Sequence, residues 1–205
     1  MEHDNNVTDF SEMLKTVYNI LMDEYDEDPN ADIFINISAG SSEYAAASMM
    51  SSMMFPTSIP FTVSTKEYHV PTSNYYLEDV PVGLARSVKT PRTVQRYNIE
   101  SPDRSLVLGL TILNRLTVEN RAPKGPEVIS NLKENGLWFR PEFSSESRSR
   151  TESVYYHRDF IKEWEKRGWV YKDKHERRYH LSEEGKSIIN TFYIKDQKRI
   201  RIVNE

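Results

Sequence analysis

Residues 33–63 constrain the fold most. Ile33-Phe34-Ile35-Asn36-Ile37 is short, apolar and β-branched, which suits a parallel strand buried on both faces. Ser38-Ala39-Gly40-Ser41-Ser42 follows as a tight small-residue loop, a helix is predicted over 43–54, and Pro60-Phe61-Thr62-Val63 reads as the next strand. Strand, loop, helix and strand in that order make one β-α-β crossover, the unit of α/β folds. In such folds the loop after a strand builds ligand sites. Backbone N–H groups at the helix start point outward, the helix dipole favours anions, and serine hydroxyls add donors. Ser38, Gly40, Ser41 and Ser42 are therefore candidate ligand-binding residues, although Ser41 or Ser42 could equally do no more than cap the helix. The loop is neither a phosphate-binding Gly-Lys-Ser/Thr turn nor a dinucleotide G-x-G-x-x-G. Behind it, Ala45, Ala46, Ala47 and Ser48 permit close backbone approach. Met49, Met50, Met53 and Met54 suit adaptable core packing or a subunit contact.

Net charge divides the chain. The 205 residues carry a formal charge of −4, but residues 1–99 hold 6 Lys+Arg against 14 Asp+Glu, while residues 100–205 hold 21 against 17. An acidic front and a basic back imply two modules, the back one the candidate for meeting a polyanion. Cysteine is absent, which removes disulfides, thiolate zinc sites and thiol catalysis. No apolar run reaches the length of a membrane helix and residues 1–30 are too acidic for a signal peptide, so a cytoplasmic chain without a membrane partner is expected.

A first helix is predicted from Asp9 to Tyr25, with Phe10, Met13, Leu14, Val17 and Leu21 on one face and Asp9 with Glu12 at its start. Pro29 closes it after an acidic run. Asp26-x-Asp28-x-Asn30 opens like a calcium loop but has Ala31 where glycine is required and Ile37 where the closing glutamate belongs, so it reads as a solvated turn.

Asn36-Ile37-Ser38-Ala39-Gly40-Ser41, the alanine- and methionine-rich helix, the strand after it and Glu67-Tyr68 together resemble the archaeal CARF-type regulators. In that family a Rossmann-like sensor is joined to a C-terminal winged helix, and some relatives are CRISPR-associated. The resemblance implies a homodimer and a cyclic oligoadenylate ligand at the loop of Ser38, Gly40, Ser41 and Ser42. The family's first strand, with the second ligand-facing loop, has no counterpart ahead of Asp9. The expected sensor is therefore partial, through truncation or through reduction.

The back half has its own order. From His69 to Ser101, prolines at 71, 81 and 91 and the lack of a strong period mark a connector with short strand or helix fragments. Ser101-Pro102-Asp103 is read as a helix start with Ser101 as N-cap, and Leu106, Leu110, Leu113 and Leu116 give the buried face. A second helix runs from Pro126 to Asn135-Gly136 and buries Val128, Ile129 and Leu132. A third starts at the capping box Ser149-Arg150-Thr151-Glu152 and continues through Phe160, Ile161 and Trp164. Trp169–Lys172 and Arg178–Leu181 form a hairpin, and Ser182 opens a last helix. Three helices, a hairpin and a helix spell a winged helix-turn-helix, and Tyr179–Gly185 is similar to the wing-to-helix segment of many bacterial and archaeal regulators. The segment 137–148 is long for the turn, with Leu137, Trp138, Phe139 and Phe143 expected to pack on the domain and 144–148 expected as a polar lead-in.

The expected fold class is α/β plus winged helix: a partial CARF-like α/β domain over 1–70, a linker over 71–100, a winged helix-turn-helix DNA-binding domain over 101–194, and a basic tail over 195–205 that could be a strand, a DNA arm or a dimer contact. Double-stranded DNA is the expected partner. Arg148, Arg150 and Thr151 lie at the start of the third helix, where base edges are read. Tyr155, Arg158 and Lys162 lie along it, and Lys172, Lys174, Arg177 and Arg178 load the wing for phosphate contacts. The expected function is a homodimeric transcriptional regulator, controlled by a nucleotide if the sensor binds one. A ring nuclease, a nucleotide-sensing effector and a ligand-independent interaction protein remain the alternatives. No catalytic residue, metal or cofactor is expected: the serine loop has no neighbouring Lys or Arg, and His69, His157, His175 and His180 are scattered.

Overall fold

The computed structural model describes residues 9–38, 40–68, 85–119, 123–141, 148–173 and 178–202. The chain is a mixed α/β protein of two compact units, residues 1–100 and 101–205. No helix among the described residues is long and apolar enough to cross a membrane.

In the first unit α1 (Phe10–Glu27) starts at Asp9, whose carboxylate accepts from the Glu12 N–H at 3.0 Å. Met13, Leu14, Tyr18 and Leu21 are its buried residues; Phe10, expected in the stripe, is exposed. β1 (Ile33–Asn36) and β2 (Ser58–Thr62) pair in parallel, Ile33 opposite Ser58 and Asn36 opposite Phe61, with α2 (Ser42–Met54) as the crossover. Helices α1 and α2 pack through Met13, Leu14, Tyr44 and Ala47, and the Phe55 ring lies 5.3 Å from that of Tyr18.

The burial of β1 and α2 differs from the sequence-based expectation. β1 is not buried on both faces, because Ile35 is covered while Phe34 is 64% exposed. On α2 the buried face is Ala47, Ser48, Ser51 and Ser52, and the methionines are half-buried or exposed; within the chain, small side chains rather than thioethers set the packing distance, which leaves the subunit contact as the other expected role of the methionines. The hydroxyls of Ser48 and Ser51 on α2, and of Thr57 and Ser58 at the start of β2, are buried without a hydrogen-bond partner among the described residues. Residues 85–100, expected as connector, belong to this unit. β5 (Arg92–Thr93) adds antiparallel to β2, and β4 (Ala85–Val88) pairs with β3 (Thr65–Tyr68) in a separate two-stranded sheet. Arg96 donates to the Phe55 and Pro56 carbonyls, tying the return segment down.

The second unit is built round α3 (Arg104–Val118). Leu106, Leu110, Leu113 and Leu116 are buried as expected, and burial goes beyond that one face to every residue from Leu106 to Leu113, the mark of a central helix. Its N-cap is Asp103, not Ser101: the Asp103 carboxylate accepts from the Leu106 N–H at 2.9 Å and from the Ser105 hydroxyl at 2.8 Å. A carboxylate accepts from two donors at the positive helix end, which favours it over the serine two residues earlier. α4 (Gly125–Glu134) buries Val128, Ile129 and Leu132 and stops at Gly136, where φ is +67°.

α5 (Arg148–Tyr156) runs through a π-helical turn (His157–Ile161) into α6 (Lys162–Lys166). The turn has a readable cause. Glu152, Tyr156, Phe160 and Trp164 recur every fourth residue and all are buried. Twelve residues of ideal α-helix make about 3.3 turns, so such a series would drift about a third of a turn around the axis. One inserted residue takes up nearly that drift. The rings of Tyr156, Phe160 and Trp164 accordingly form one cluster, with centroids 5.5 to 6.2 Å apart. Trp164 is fully buried and donates its indole N–H to the Leu106 carbonyl at 3.0 Å. Glu152 is buried and pairs with Lys133 at 2.5 Å, while the side chain of Ser149, the other half of the expected capping box, lies outside the described residues.

β6 (Val170–Lys172) and β7 (Tyr179–Leu181) are antiparallel, and α7 (Glu183–Thr191) is capped by the Ser182 hydroxyl, which accepts from the Gly185 N–H at 3.0 Å. The chain then turns at Tyr193, whose φ of +56° is a strained position for a non-glycine residue, into the short α8 (Ile194–Gln197). This tail folds back on the unit. Arg115 donates to the Gln197 and Ile200 carbonyls at 2.9 Å each, and Asn135 exchanges two hydrogen bonds of 2.8 Å with the Arg201 backbone.

Candidate nucleic-acid interface

The spacing that aligns the core also aligns the outer face of the same helix. Arg150, Val154, Arg158, Lys162 and Lys166 recur at four-residue intervals and all are exposed. The π turn that holds the aromatic residues in register holds these five in a ridge of about 24 Å, taking 1.5 Å per residue. The acids of the helix each have a partner, and one of those partners is the ridge residue Arg158. Asp159 binds Arg158 and Arg140, Glu163 pairs with Arg167, and Glu165 faces the Tyr179 hydroxyl, whose pKa is raised by burial first and by this carboxylate second. Among the described residues no carboxylate pairs with Arg150, Lys162 or Lys166. Four cations and one aliphatic side chain on a helix ridge can meet phosphates and a base methyl group.

The other expected DNA contacts fall into three groups. Thr151 and Tyr155 are half-buried, and the Tyr155 ring lies under two guanidinium groups, Arg158 at 4.7 Å and Arg140 at 5.1 Å. On the hairpin, Lys172 is exposed with its ammonium 5.6 Å from the Tyr179 ring centre, and Arg178 is exposed with its carbonyl accepting from the Asp173 N–H. Arg148 opens α5, while Lys174 and Arg177 lie outside the described residues. Phe139, expected to pack, is 77% exposed, whereas Leu137 is buried and Phe143 lies outside the described residues. Arg140 is the residue that sequence reasoning missed. It stands on an irregular segment with no period to place it, and only the neighbouring Leu137 anchor hints that the chain is held there.

The serine loop uses its own polar groups. Asn36 Oδ1 accepts from the Ser38 N–H at 3.0 Å and from the Ser38 hydroxyl at 2.5 Å. Ser41 is the N-cap of α2, accepting from the Tyr44 N–H at 3.1 Å, and Ser42 donates to the Glu43 carboxylate at 3.0 Å. Gly40 adopts φ +100°, and a Cβ there would stand 2.9 Å from the Tyr44 ring, so the position admits glycine alone. The Glu43 carboxyl is held below the usual carboxylate range by its own backbone N–H first, then by Ser42 and Ser41. The helix N-terminus thus carries an anion supplied by the chain itself.

No family model matches this chain. No curated protein matches it either. The functional reading therefore rests on the residues.

A titration tests the serine-loop geometry. The Glu43 side-chain carboxyl, followed by carbon NMR, is expected to titrate below an unperturbed glutamate. Its contribution to α2 is complete above the ordinary carboxylate range and is lost as pH falls through the lowered midpoint. In Ser42→Ala the midpoint should rise; an unchanged midpoint would show that Ser42 does not hold the carboxylate.

Proposed function

We propose that residues 101–202 form a winged helix-turn-helix that binds double-stranded DNA, with the helix over 148–166 in the major groove and the β6–β7 hairpin as the wing. In this reading the protein is a homodimeric transcriptional regulator whose first unit is a partial Rossmann-like, CARF-like domain, and no catalytic step is assigned to it. The observation that carries the reading is the ridge of Arg150, Arg158, Lys162 and Lys166, exposed on a single helix, on which Asp159 is shared between Arg158 and Arg140 and Glu163 pairs with Arg167. Non-specific duplex binding rests on such charge, through release of condensed counterions. The element order of three helices, hairpin and helix supports it as well.

A nucleotide at the Ser38–Ser42 loop gains no support from the geometry. The hydroxyl protons of Ser38 and Ser42 are spent on Asn36 and Glu43, and a phosphate would have to displace the Glu43 carboxylate. Fluorescence anisotropy with a labelled 30-base-pair duplex of mixed sequence, from 25 to 200 mM salt, tests the DNA reading. Expected is binding at low salt whose affinity falls steeply along the series, with light scattering reporting a dimer. No binding at 25 mM salt would overturn the reading.

A further inference from the structure

We propose that Arg140 and Arg158 form a two-pronged clamp for one phosphodiester of the bound strand, with Asp159 as its positioning residue. The inference rests on the DNA reading above and adds a contact outside the helix.

The geometry begins with an unusual pair. Adjacent residues of an α-helix point about 100° apart and do not face each other. Arg158 and Asp159 nevertheless meet through two hydrogen bonds, Nε to Oδ1 at 2.7 Å and Nη2 to Oδ2 at 3.2 Å. Both lie in the π-helical turn. From the other side Arg140 donates its Nε to Asp159 Oδ2 at 2.9 Å, with Nη2 at 2.8 Å from the same oxygen. One carboxylate thus holds two guanidinium groups by their Nε–Nη2 edges. The Tyr155 ring packs against both, at 5.1 Å from Arg140 and 4.7 Å from Arg158. The two guanidinium groups are left with their Nη1 donors, for which no acceptor appears among the described residues. Both side chains are 40 to 50% exposed (41% and 49%), and Asp159 is the more covered at 25%.

A carboxylate on a polyanion-binding face ordinarily weakens binding by repulsion. Here it does something else: two long side chains that would otherwise sample many rotamers are held in one arrangement before the ligand arrives. The cluster keeps a net charge of +1. The Asp159 carboxyl is held below the ordinary carboxylate range by Arg158 first and Arg140 after it, so it stays ionised throughout the neutral range. The remaining Nη1 donors of two guanidinium groups held side by side match the paired oxygens of one phosphodiester, an arrangement that a lysine, unable to grip the Asp159 carboxylate by a forked edge, would not keep. The clamp also gives the segment after α4 a purpose, since it is this segment that delivers Arg140 to the helix over 148–166.

The test is the sign of one substitution. Asp159→Asn removes a negative charge beside the duplex, so if Asp159 acts only as a charge the variant binds more tightly. If it positions the arginines, the variant binds about fivefold more weakly in the full-length protein. Arg140→Ala should weaken binding about tenfold and reduce the salt slope by about 0.9, the loss of one phosphate contact. Arg140→Lys keeps the charge but not the fork; it should weaken binding with the slope retained, and serves if Asp159→Asn proves unfolded by circular dichroism. Tighter or unchanged binding by Asp159→Asn, or an unaltered slope in Arg140→Ala, overturns the clamp while wild-type binding leaves the DNA reading standing. A wild-type protein that binds no duplex overturns both.

Discussion

Arg150→Ala, Lys162→Ala and Lys166→Ala combined are expected to cost about 500-fold in duplex affinity at 0.1 M salt, or about 4 kcal/mol. The figure follows from counterion release. Each phosphate neutralised contributes about 0.9 to the slope of log affinity against log salt, so three lost contacts amount to about 2.7 decades at 0.1 M and vanish near 1 M. The side chains are exposed, and no ion pair among the described residues depends on them, so the fold should be retained. Anisotropy titrations of wild type and variant between 25 and 300 mM salt measure the difference. A loss that is the same at every salt concentration would mean that the variant is damaged rather than discharged. An undiminished slope would place the duplex elsewhere on the protein.

Trp164→Ala is expected to destabilise the second unit by about 4 kcal/mol, within the range of large core aromatic deletions. The indole is wholly buried, packs edge-on to Phe160 and Tyr156, and donates to the Leu106 carbonyl, so its removal leaves a cavity and loses a buried hydrogen bond. That loss is a large part of the stability of an ordinary domain. Trp164→Phe keeps much of the bulk and loses only the donor and the second ring. It should cost about half as much and still bind DNA. Urea denaturation followed by circular dichroism gives both values. Equal midpoints for the alanine variant and the wild type would show that the aromatic cluster does not organise this unit.

Much of this scaffold was legible from residue types. The β1–α2–β2 crossover, the Ser182 cap of α7 and the Asn135–Gly136 stop of α4 follow from local chemistry that no tertiary contact overrides. The failures are equally specific. Ser101, Pro102 and Asp103 all carry helix-start signals, and the choice among them turns on which side chain reaches the free N–H groups in three dimensions. Short strand fragments are expected in the connector, but a two-residue pairing leaves no period, so the place of β5 is set only by the distant β2 edge. For the serine loop, the sequence counts hydroxyls but does not say who accepts their protons, and Asn36 and Glu43 stand within reach. Arg150, Arg158 and Lys162 were legible as exposed cations, but not as one ridge, because a strict α-helix would have spiralled a four-residue spacing around the axis. The π turn that straightens it answers to the aromatic core beneath.

The folded-back tail alters how the second unit comes apart. Four hydrogen bonds join residues 82 to 92 positions apart: Tyr193 to Pro102, Arg104 to Asp196, and Arg115 to Gln197 and Ile200. First and last elements are thus fastened to each other rather than left as loose ends. Peeling of the carboxyl end would strip acceptors from the central helix and free the segment leading into it at the same time. Fraying of this kind has no cheap first step, and the unit is built to open all at once.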